Sequence, residues 1–307
     1  MPLPLAVWCA TDDYDHAIDP DIISVTTLLK SLRQIVLARQ NKDNLKIMDV
    51  DNLIATSMGT ALHDSVERAW MNRDKAIEAM QNLGVNASMA VDVYDNIVFE
   101  RRSTKAVGSM VISGKFDIVS GGIVCDIKSS SVYGWINSSN DTKYAQQMSL
   151  YRWLNPDLIT EEVGTILYIF TDWSKAKSLQ DRSYPQSRVQ SKNFKLASHD
   201  EVQKFVEKKI TDIEKYLLES DQDKIPDCTP EDLWQDKDVF KYYKNPDKLE
   251  RATKNYDTYA EASDHWNRDG RVGKIIEVTG KAKACMYCAV ANLCSQRARL
   301  AASGKLS

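Results

Sequence analysis

The sequence predicts an α/β protein in which a mixed sheet is flanked by helices. A Gly-Gly pair lies between two apolar-rich runs in residues 113–130, which predicts an antiparallel hairpin. Residues 163–172 form an apolar-rich run that predicts a buried strand. Residues 24–39 and 198–218 carry apolar side chains at helical spacing. Strands and amphipathic helices in one chain indicate layers of sheet and helix around a shared core.

Length and composition bound the number of domains. The chain has 307 residues, of which 43% are hydrophobic, so it can bury a large core as one big domain or about two smaller ones. We predict a core domain of residues 1–220 and a helical C-terminal extension of residues 221–307 that packs on it. The net charge of −3 does not indicate a nucleic-acid binder, but a local patch can bind a polyanion whatever the sum.

The sequence carries no signal for a membrane or for secretion. Residues 1–9 have no basic start, and acidic residues follow at 12, 13 and 15. No apolar run approaches the roughly 20 residues of a membrane span. We therefore expect a cytoplasmic protein with no membrane partner, in which cysteines stay reduced.

Two helices are expected before the hairpin. Residues 24–39 form the first, with this apolar stripe: Leu28, Leu29, Leu32, Ile35 and Val36. Residues 57–70 form the second, and place His63 and Glu67 on a face that differs from the apolar one. This helix can present an imidazole beside a packed stripe, although a histidine in such a place is also common without any ligand.

The hairpin has a register that follows from its turn. Pairing outward from Gly121-Gly122 gives these opposed residues: Ser120 with Ile123, Ile118 with Cys125, Asp117 with Asp126, and Lys115 with Lys128. Alternation along each strand then assigns one face to the core: Phe116, Ile118, Cys125 and Ile127. The other face carries the two carboxylates.

Two carboxylates directly opposite each other repel, and their Cβ atoms are expected about 4.5–5.5 Å apart. A hard divalent cation such as Mg²⁺ binds carboxylate oxygens and keeps positions for water and phosphate. Asp117 and Asp126 therefore suggest a metal site. The alternative is a solvated strand face on which aspartates and lysines neutralise one another.

The helix after the hairpin spans residues 141–154 and ends before Pro156. Gln147 and Tyr151 share one of its faces. The face is consistent with an amphipathic helix that lies on the sheet, and this packing is compatible with a functional role.

A further helix is expected over residues 198–218. It opens with a capping box between Ser198 and Glu201. Its apolar stripe comprises Val202, Phe205, Val206, Ile210, Ile213 and Leu217.

Four of these segments, in this order, resemble the PD-(D/E)XK (restriction-endonuclease-like) nuclease superfamily and, within it, the RecB-like and phage-type exonucleases. The resemblance covers about residues 24 to 172 and rests on these residues: Gly59, His63, Gly114, Lys115, Phe116, Asp117, Asp126, Ile127, Lys128, Gln147 and Tyr151. It implies a PD-(D/E)XK core with a mixed central sheet flanked by helices.

The resemblance also implies roles for individual residues. The metal ligands would be His63, Asp117, Asp126 and the backbone carbonyl of Ile127, with Mg²⁺ or Mn²⁺ as the ion. Lys128 would orient and activate the attacking water, so the catalytic set is Asp117, Asp126 and Lys128. Gln147 and Tyr151 would support the site and contact DNA.

The function implied is a metal-dependent DNA nuclease, most directly an exonuclease that hydrolyses phosphodiester bonds at DNA ends. Such enzymes act in phage or bacterial recombination, repair or replication, where a recombination or replication protein is a possible partner. One alternative is a structure-specific DNA endonuclease. Another is a non-catalytic DNA-binding module that keeps the nuclease fold.

Three cysteines are close together near the C-terminus. Cys285, Cys288 and Cys294 lie within ten residues, and in a reducing compartment such spacing suggests a metal or a cluster. Cys125 is expected in the core and needs no further role. The alternative for the group is buried reduced cysteines without a metal.

The cysteine spacing resembles part of the iron–sulfur site of AddB-type and CRISPR-adaptation nucleases. In those families the fourth ligand usually lies in the first helix, where residues 24–37 here contain no cysteine. We expect Cys228 to be the fourth ligand, with Cys9 as the alternative. Four thiolates suit either a [4Fe–4S] cluster or Zn²⁺.

Overall fold

The chain divides into two units in the computed structural model, which describes residues 1–11, 21–42 and 50–307. The first unit comprises Met1–Leu29 and Met48–Asp212, and the second comprises Lys30–Ile47 and Ile213–Ser307. Residues 30–42 of the described chain thus group with the C-terminal unit.

Helices occur in both units of the described chain. In chain order they are α1 (Leu3–Ala10), α2 (Val25–Leu28), α3 (Leu32–Gln40), α4 (Ile54–Trp70), α5 (Arg73–Asn82), α6 (Ala87–Asp95), α7 (Val132–Ile136), α8 (Asp141–Leu154), α9 (Lys175–Gln180), α10 (His199–Leu217), α11 (Tyr259–Arg268) and α12 (Ser295–Ala302). Among the residues that the structure describes, no helix has both the length and the apolarity to cross a membrane.

The strands form three sheets. They are β1 (Ile22–Ser24), β2 (Ile97–Phe99), β3 (Arg102–Val107), β4 (Met110–Lys115), β5 (Ile118–Ser120), β6 (Ile123–Ser130), β7 (Val163–Phe170), β8 (Val189–Lys195), β9 (Val239–Tyr243), β10 (Lys254–Tyr256) and β11 (Lys274–Val278). The first unit contains a five-stranded sheet in the order β2-β5-β6-β7-β8 and a three-stranded sheet in the order β1-β4-β3. The larger sheet is mixed, because β6 and β7 are parallel and its other pairs are antiparallel. The predicted α/β class with a mixed sheet and flanking helices is confirmed.

The Gly-Gly turn forms as predicted. Gly121 and Gly122 have φ values of +57° and +76°, as a two-residue type I′ turn requires. The predicted register holds for the pairs next to it, Ser120–Ile123 and Ile118–Cys125.

The outer part of the predicted hairpin is wrong. The ladder ends at Ile118, and the chain bends at Asp117, so the pairs Asp117–Asp126 and Lys115–Lys128 do not form. Lys115 instead ends β4 and pairs with Arg102 in the smaller sheet. Because of the bend, the consecutive strands β4 and β5 belong to two different sheets. The alternation of apolar and polar residues does not reveal this change of sheet.

The buried face of β6 also differs from the prediction. Phe116, Ile118 and Ile127 are buried as expected, and Cys125 is half-buried. Asp126, however, is 1% exposed on the opposite face. That face lies under α8, since a Cβ added to Gly164 beside β6 would be 2.7 Å from the Met148 sulfur. Both faces of this central strand are covered.

The predicted helices form with one exception. The expected helix over residues 24–39 is broken into α2 and α3, because Ser31 caps α3 by accepting a hydrogen bond from Gln34 N. Helix α10 begins at the predicted capping box, where Glu201 Oε2 accepts from Ser198 N at 2.8 Å.

The second unit is less helical than predicted. It contains an antiparallel sheet in the order β10-β9-β11 in addition to its helices. Strand β9, with the sequence Val-Phe-Lys-Tyr-Tyr, is rich in β-branched and aromatic residues. A core cluster of four buried residues lies elsewhere in this unit: Val36, Leu37, Ile225 and Val290.

Candidate metal-dependent active site

One pocket of the first unit brings the predicted active-site side chains together. It has a volume of about 190 Å³. The predicted side chains that line it are His63, Asp117, Asp126, Lys128, Gln147 and Tyr151. Three further charged residues, Asp64, Glu100 and Lys115, line it as well.

Strand β6 presents Asp126 and Lys128 to this pocket. Nζ of Lys128 makes an ion pair with Oδ2 of Asp126, whereas Oδ1 of that carboxylate has no hydrogen-bond partner among the described residues. Burial raises the pKa of Asp126, and the positive charge of Lys128 only partly opposes it. Burial lowers the pKa of Lys128, but the charges of Asp126 and Asp117 outweigh it and leave the pKa raised.

Helix α4 places His63 between an acceptor in the bend before β5 and an acceptor in β6. Its Nδ1 lies 3.3 Å from Oδ1 of Asp117, and its Nε2 lies 3.1 Å from the carbonyl oxygen of Ile127. The other carboxylate oxygen of Asp117 accepts a hydrogen bond from Ile127 N at 2.8 Å. The hydrogen bond to Asp117, aided by Glu100, raises the pKa of His63 to about 10 despite its burial.

Glu100 is the site residue that the sequence analysis missed. It lies between β2 and β3 at φ +47°, a left-handed conformation that is uncommon for a non-glycine residue. Its Oε2 is 2.5 Å from Nζ of Lys115, and its Oε1 is 3.9 Å from Nδ1 of His63. Burial alone raises the pKa of Glu100, but hydrogen bonds from His63 and Lys115 leave it lowered. No spacing in the sequence marks Glu100, because its position depends on a chain reversal.

These side chains fit a hard divalent cation. Ligand atoms of His63, Glu100 and Asp117 lie within 4.8 Å of one another. Asp126 lines the same pocket outside this group. Carboxylate oxygens are ligands for Mg²⁺ and Mn²⁺, and an imidazole suits Mn²⁺ better than Mg²⁺. Oδ1 of Asp126, buried without a hydrogen-bond partner among the described residues, has the free lone pairs that such an ion uses.

Helix α8 supplies the last two predicted residues. Gln147 Nε2 donates a hydrogen bond to the hydroxyl of Tyr151 at 2.7 Å. A Cβ added to Gly114 would lie 2.6 Å from Leu154 Cδ1 and 3.1 Å from Tyr151 Cδ1. Glycine at position 114 therefore lets α8 approach β4 closely enough for Tyr151 to reach the pocket.

The second unit gathers cysteines around a separate small cavity. About 30 Å³ in volume, it is lined by all four predicted ligands: Cys228, Cys285, Cys288 and Cys294. Cys9 belongs to the first unit and does not line it. Among the described residues, no three cysteine sulfurs lie within 4.8 Å of one another. Burial is the main reason why the pKa of Cys228 is raised to about 11.

Comparisons with known proteins add little to this geometry. No family model and no curated protein matches the chain. Among solved structures, the protein SSO0001 is 17% identical with a TM-score of 0.40, covering 67% of this chain and 83% of its own. A phage-related exonuclease from Haemophilus somnus 129PT is 14% identical with a TM-score of 0.35, covering 61% of this chain and 78% of its own.

Proposed function

We propose that this protein is a metal-dependent DNA nuclease of the PD-(D/E)XK type. The observation that carries the proposal is the pocket in which His63, Glu100 and Asp117 offer ligand atoms within 4.8 Å of one another, beside the ion pair of Asp126 and Lys128. DNA as the substrate rests on the four sequence segments that resemble this superfamily.

The residues that would hold Mg²⁺ or Mn²⁺ are Asp117, Asp126, His63 and the carbonyl of Ile127, with Glu100 as an additional carboxylate. A bound ion of this kind supplies a Lewis acid and lowers the pKa of water.

The remaining side chains act on the substrate. Lys128 places a positive charge next to Asp126, where it orients the attacking water and stabilises charge that develops on the phosphate. Gln147 holds the hydroxyl of Tyr151, and both would support the site and contact the DNA backbone.

An exonuclease acting at DNA ends is the activity we favour, with a structure-specific endonuclease as the second candidate. A non-catalytic DNA-binding module has less support. It has no need to gather the buried Asp126 carboxylate in one pocket with Glu100 and Asp117, because clustered carboxylates are costly unless a bound cation compensates them.

The cysteine cavity is the second part of the proposal. We assign it a [4Fe–4S] cluster held by Cys228, Cys285, Cys288 and Cys294, with Zn²⁺ as the alternative. In a tetrahedral zinc site the sulfurs lie about 3.8 Å apart, since each Zn–S bond is about 2.3 Å. We favour the cluster because the spacing of Cys285, Cys288 and Cys294 resembles that of the iron–sulfur nucleases.

A cleavage assay tests the nuclease proposal. End-labelled linear duplex DNA and a covalently closed supercoiled circle of the same sequence are incubated with Mg²⁺ or Mn²⁺, and with EDTA as the control. An exonuclease releases label from the linear DNA in the presence of metal and spares an intact circle. Cleavage of the circle would favour the endonuclease, and no metal-dependent cleavage of either would refute the proposal.

A further inference from the structure

A buried arginine adjoins the cysteine cavity of the second unit. Arg33 lies on α3, is 1% exposed, and lines the cavity. Its Nε donates a hydrogen bond to Sγ of Cys294 at 3.3 Å. A guanidinium is costly to bury unless its donors are satisfied and its charge is compensated. The burial of Arg33 is therefore favourable only if its surroundings satisfy its donors and compensate its charge.

The other donors of Arg33 fix its orientation. Nη1 donates to the carbonyl oxygens of Gln222 and Ile225 at 3.0 and 2.8 Å, and Nη2 donates to Ser295 Oγ at 2.7 Å. These acceptors leave Nε directed at Cys294. The hydrogen bonds of Nη1 and Nη2 thus fix the plane of the guanidinium, and Nε donates to the sulfur.

Arg33 shares its nearest carboxylate with another arginine. Its Nη1 is 3.2 Å from Oδ1 of Asp227, but Arg299 binds both oxygens of the same carboxylate at 2.7 and 2.8 Å. A second arginine, Arg297, also lines the cavity, and its Nε is buried without a hydrogen-bond partner among the described residues. The cavity is therefore lined by two arginine side chains, Arg33 and Arg297.

Four cysteine thiolates around one metal centre would place negative charge next to these arginines. Four thiolates carry four negative charges, and either Zn²⁺ or an oxidised [4Fe–4S] core contributes only two positive ones. The net charge of the loaded centre is then −2, which a buried position tolerates only with cations nearby.

We propose that Arg33 is a positioning residue for the cysteine metal centre: it orients the sulfur of Cys294 through its Nε hydrogen bond and compensates part of the centre's negative charge. The inference rests on the proposed metal site of the second unit and is independent of the nuclease site. Partners of this kind outside the ligand shell typically change metal affinity by about 10- to 100-fold when they are removed.

The test uses the full-length protein purified anaerobically, with iron and zinc measured in each preparation. Arg33→Gln removes the charge and the donor, and we expect its metal to pass to a chelator about 10- to 100-fold faster than in the wild type. Arg33→Lys keeps a charge but loses the Nε donor, and it carries the same test if Arg33→Gln does not fold. Arg299→Gln is the matched control, since Arg299 shares Asp227 and Ser295 but does not line the cavity.

Two readouts separate this role from a merely structural one. The hydrogen bond lowers the energy of the sulfur lone pair, so its loss should move the sulfur-to-metal charge-transfer absorption to longer wavelength. In a Cys294→Ala background, the effect of the Arg33 change on metal release should largely disappear. An unchanged absorption with a lower melting temperature, or an effect that persists without Cys294, would overturn the role of Arg33. Wild-type protein without metal would overturn the cysteine centre and the role together, and would leave the nuclease proposal standing.

Discussion

Replacing Lys128 by methionine tests the chemistry of the pocket most sharply. The side chain of Lys128 is 25% exposed and its ammonium group pairs with a carboxylate that is 1% exposed. At about 4 Å and an effective dielectric constant of about 20, one charge pair is worth roughly 4 kcal/mol. A solvent-exposed lysine would contribute only about 0–1 kcal/mol. Because Asp126 is buried, replacing Lys128 is expected to cause a large loss of catalytic rate.

We expect Lys128→Met to lower kcat about 10²- to 10³-fold, which is the usual effect of removing one preorganised group that stabilises developing charge. DNA affinity should fall far less, because one phosphate contact among several is lost. Single-turnover cleavage of end-labelled DNA with Mg²⁺ measures the first effect. Binding with Ca²⁺ in place of Mg²⁺ measures the second.

Lys115 offers a matched control in the same pocket. It has a similar exposure of 27%, but it pairs with Glu100 rather than with Asp126. We expect Lys115→Met to change kcat less than about 10-fold. A Lys128→Met enzyme that cleaves within about threefold of the wild type would refute the assigned role of Lys128, since removing an exposed charge has no larger effect. A Lys115→Met enzyme that is as impaired as Lys128→Met would refute it as well.

Two further predictions concern stability. The hydrogen bond to Asp117 is the main reason that the pKa of His63 is raised from 6.5 to about 10, so its stabilising contribution is complete below pH 6.5 and is lost as the pH rises through 10. Urea denaturation in EDTA should show a decline over this window that is flatter in His63→Gln; equal slopes would contradict the prediction. In the hairpin turn, Gly122→Ala should cost about 2 kcal/mol or more, because the left-handed φ is strained for alanine and its Cβ would collide with Thr160 Oγ1. Gly121→Ala, where the Cβ meets open space, should cost about 1 kcal/mol in the same assay, and equal losses would show that the collision is absent.

Local patterns predicted the elements of the first unit well. The Gly121-Gly122 turn set the register of its neighbours, and the capping box at Ser198 marked the start of α10. These signals succeed because their physical cause lies within a few residues of sequence. The helix-forming stripe of residues 24–39 was misleading only where Ser31 starts a new helix.

Features that depend on tertiary structure were not predictable. The bend at Asp117 sends Lys115 into a different sheet, and it places the Asp117 carboxylate on the backbone N–H of Ile127 rather than opposite Asp126. Glu100 reaches the pocket through a chain reversal at φ +47°. Neither the bend nor the chain reversal is marked by a periodic pattern in the sequence, because each arises from contacts between distant segments.

The measurement that tests the central claim most directly is Mn²⁺ binding to the wild type, Asp117→Asn and Asp64→Asn, followed by electron paramagnetic resonance. Asp117 belongs to the group whose ligand atoms lie within 4.8 Å, whereas Asp64 lines the same pocket outside that group. We predict that Asp117→Asn weakens Mn²⁺ binding at least about 10-fold and abolishes metal-dependent cleavage, while Asp64→Asn leaves both nearly unchanged. Mn²⁺ binding to Asp117→Asn with wild-type affinity would contradict the assignment of this pocket as a metal-dependent active site.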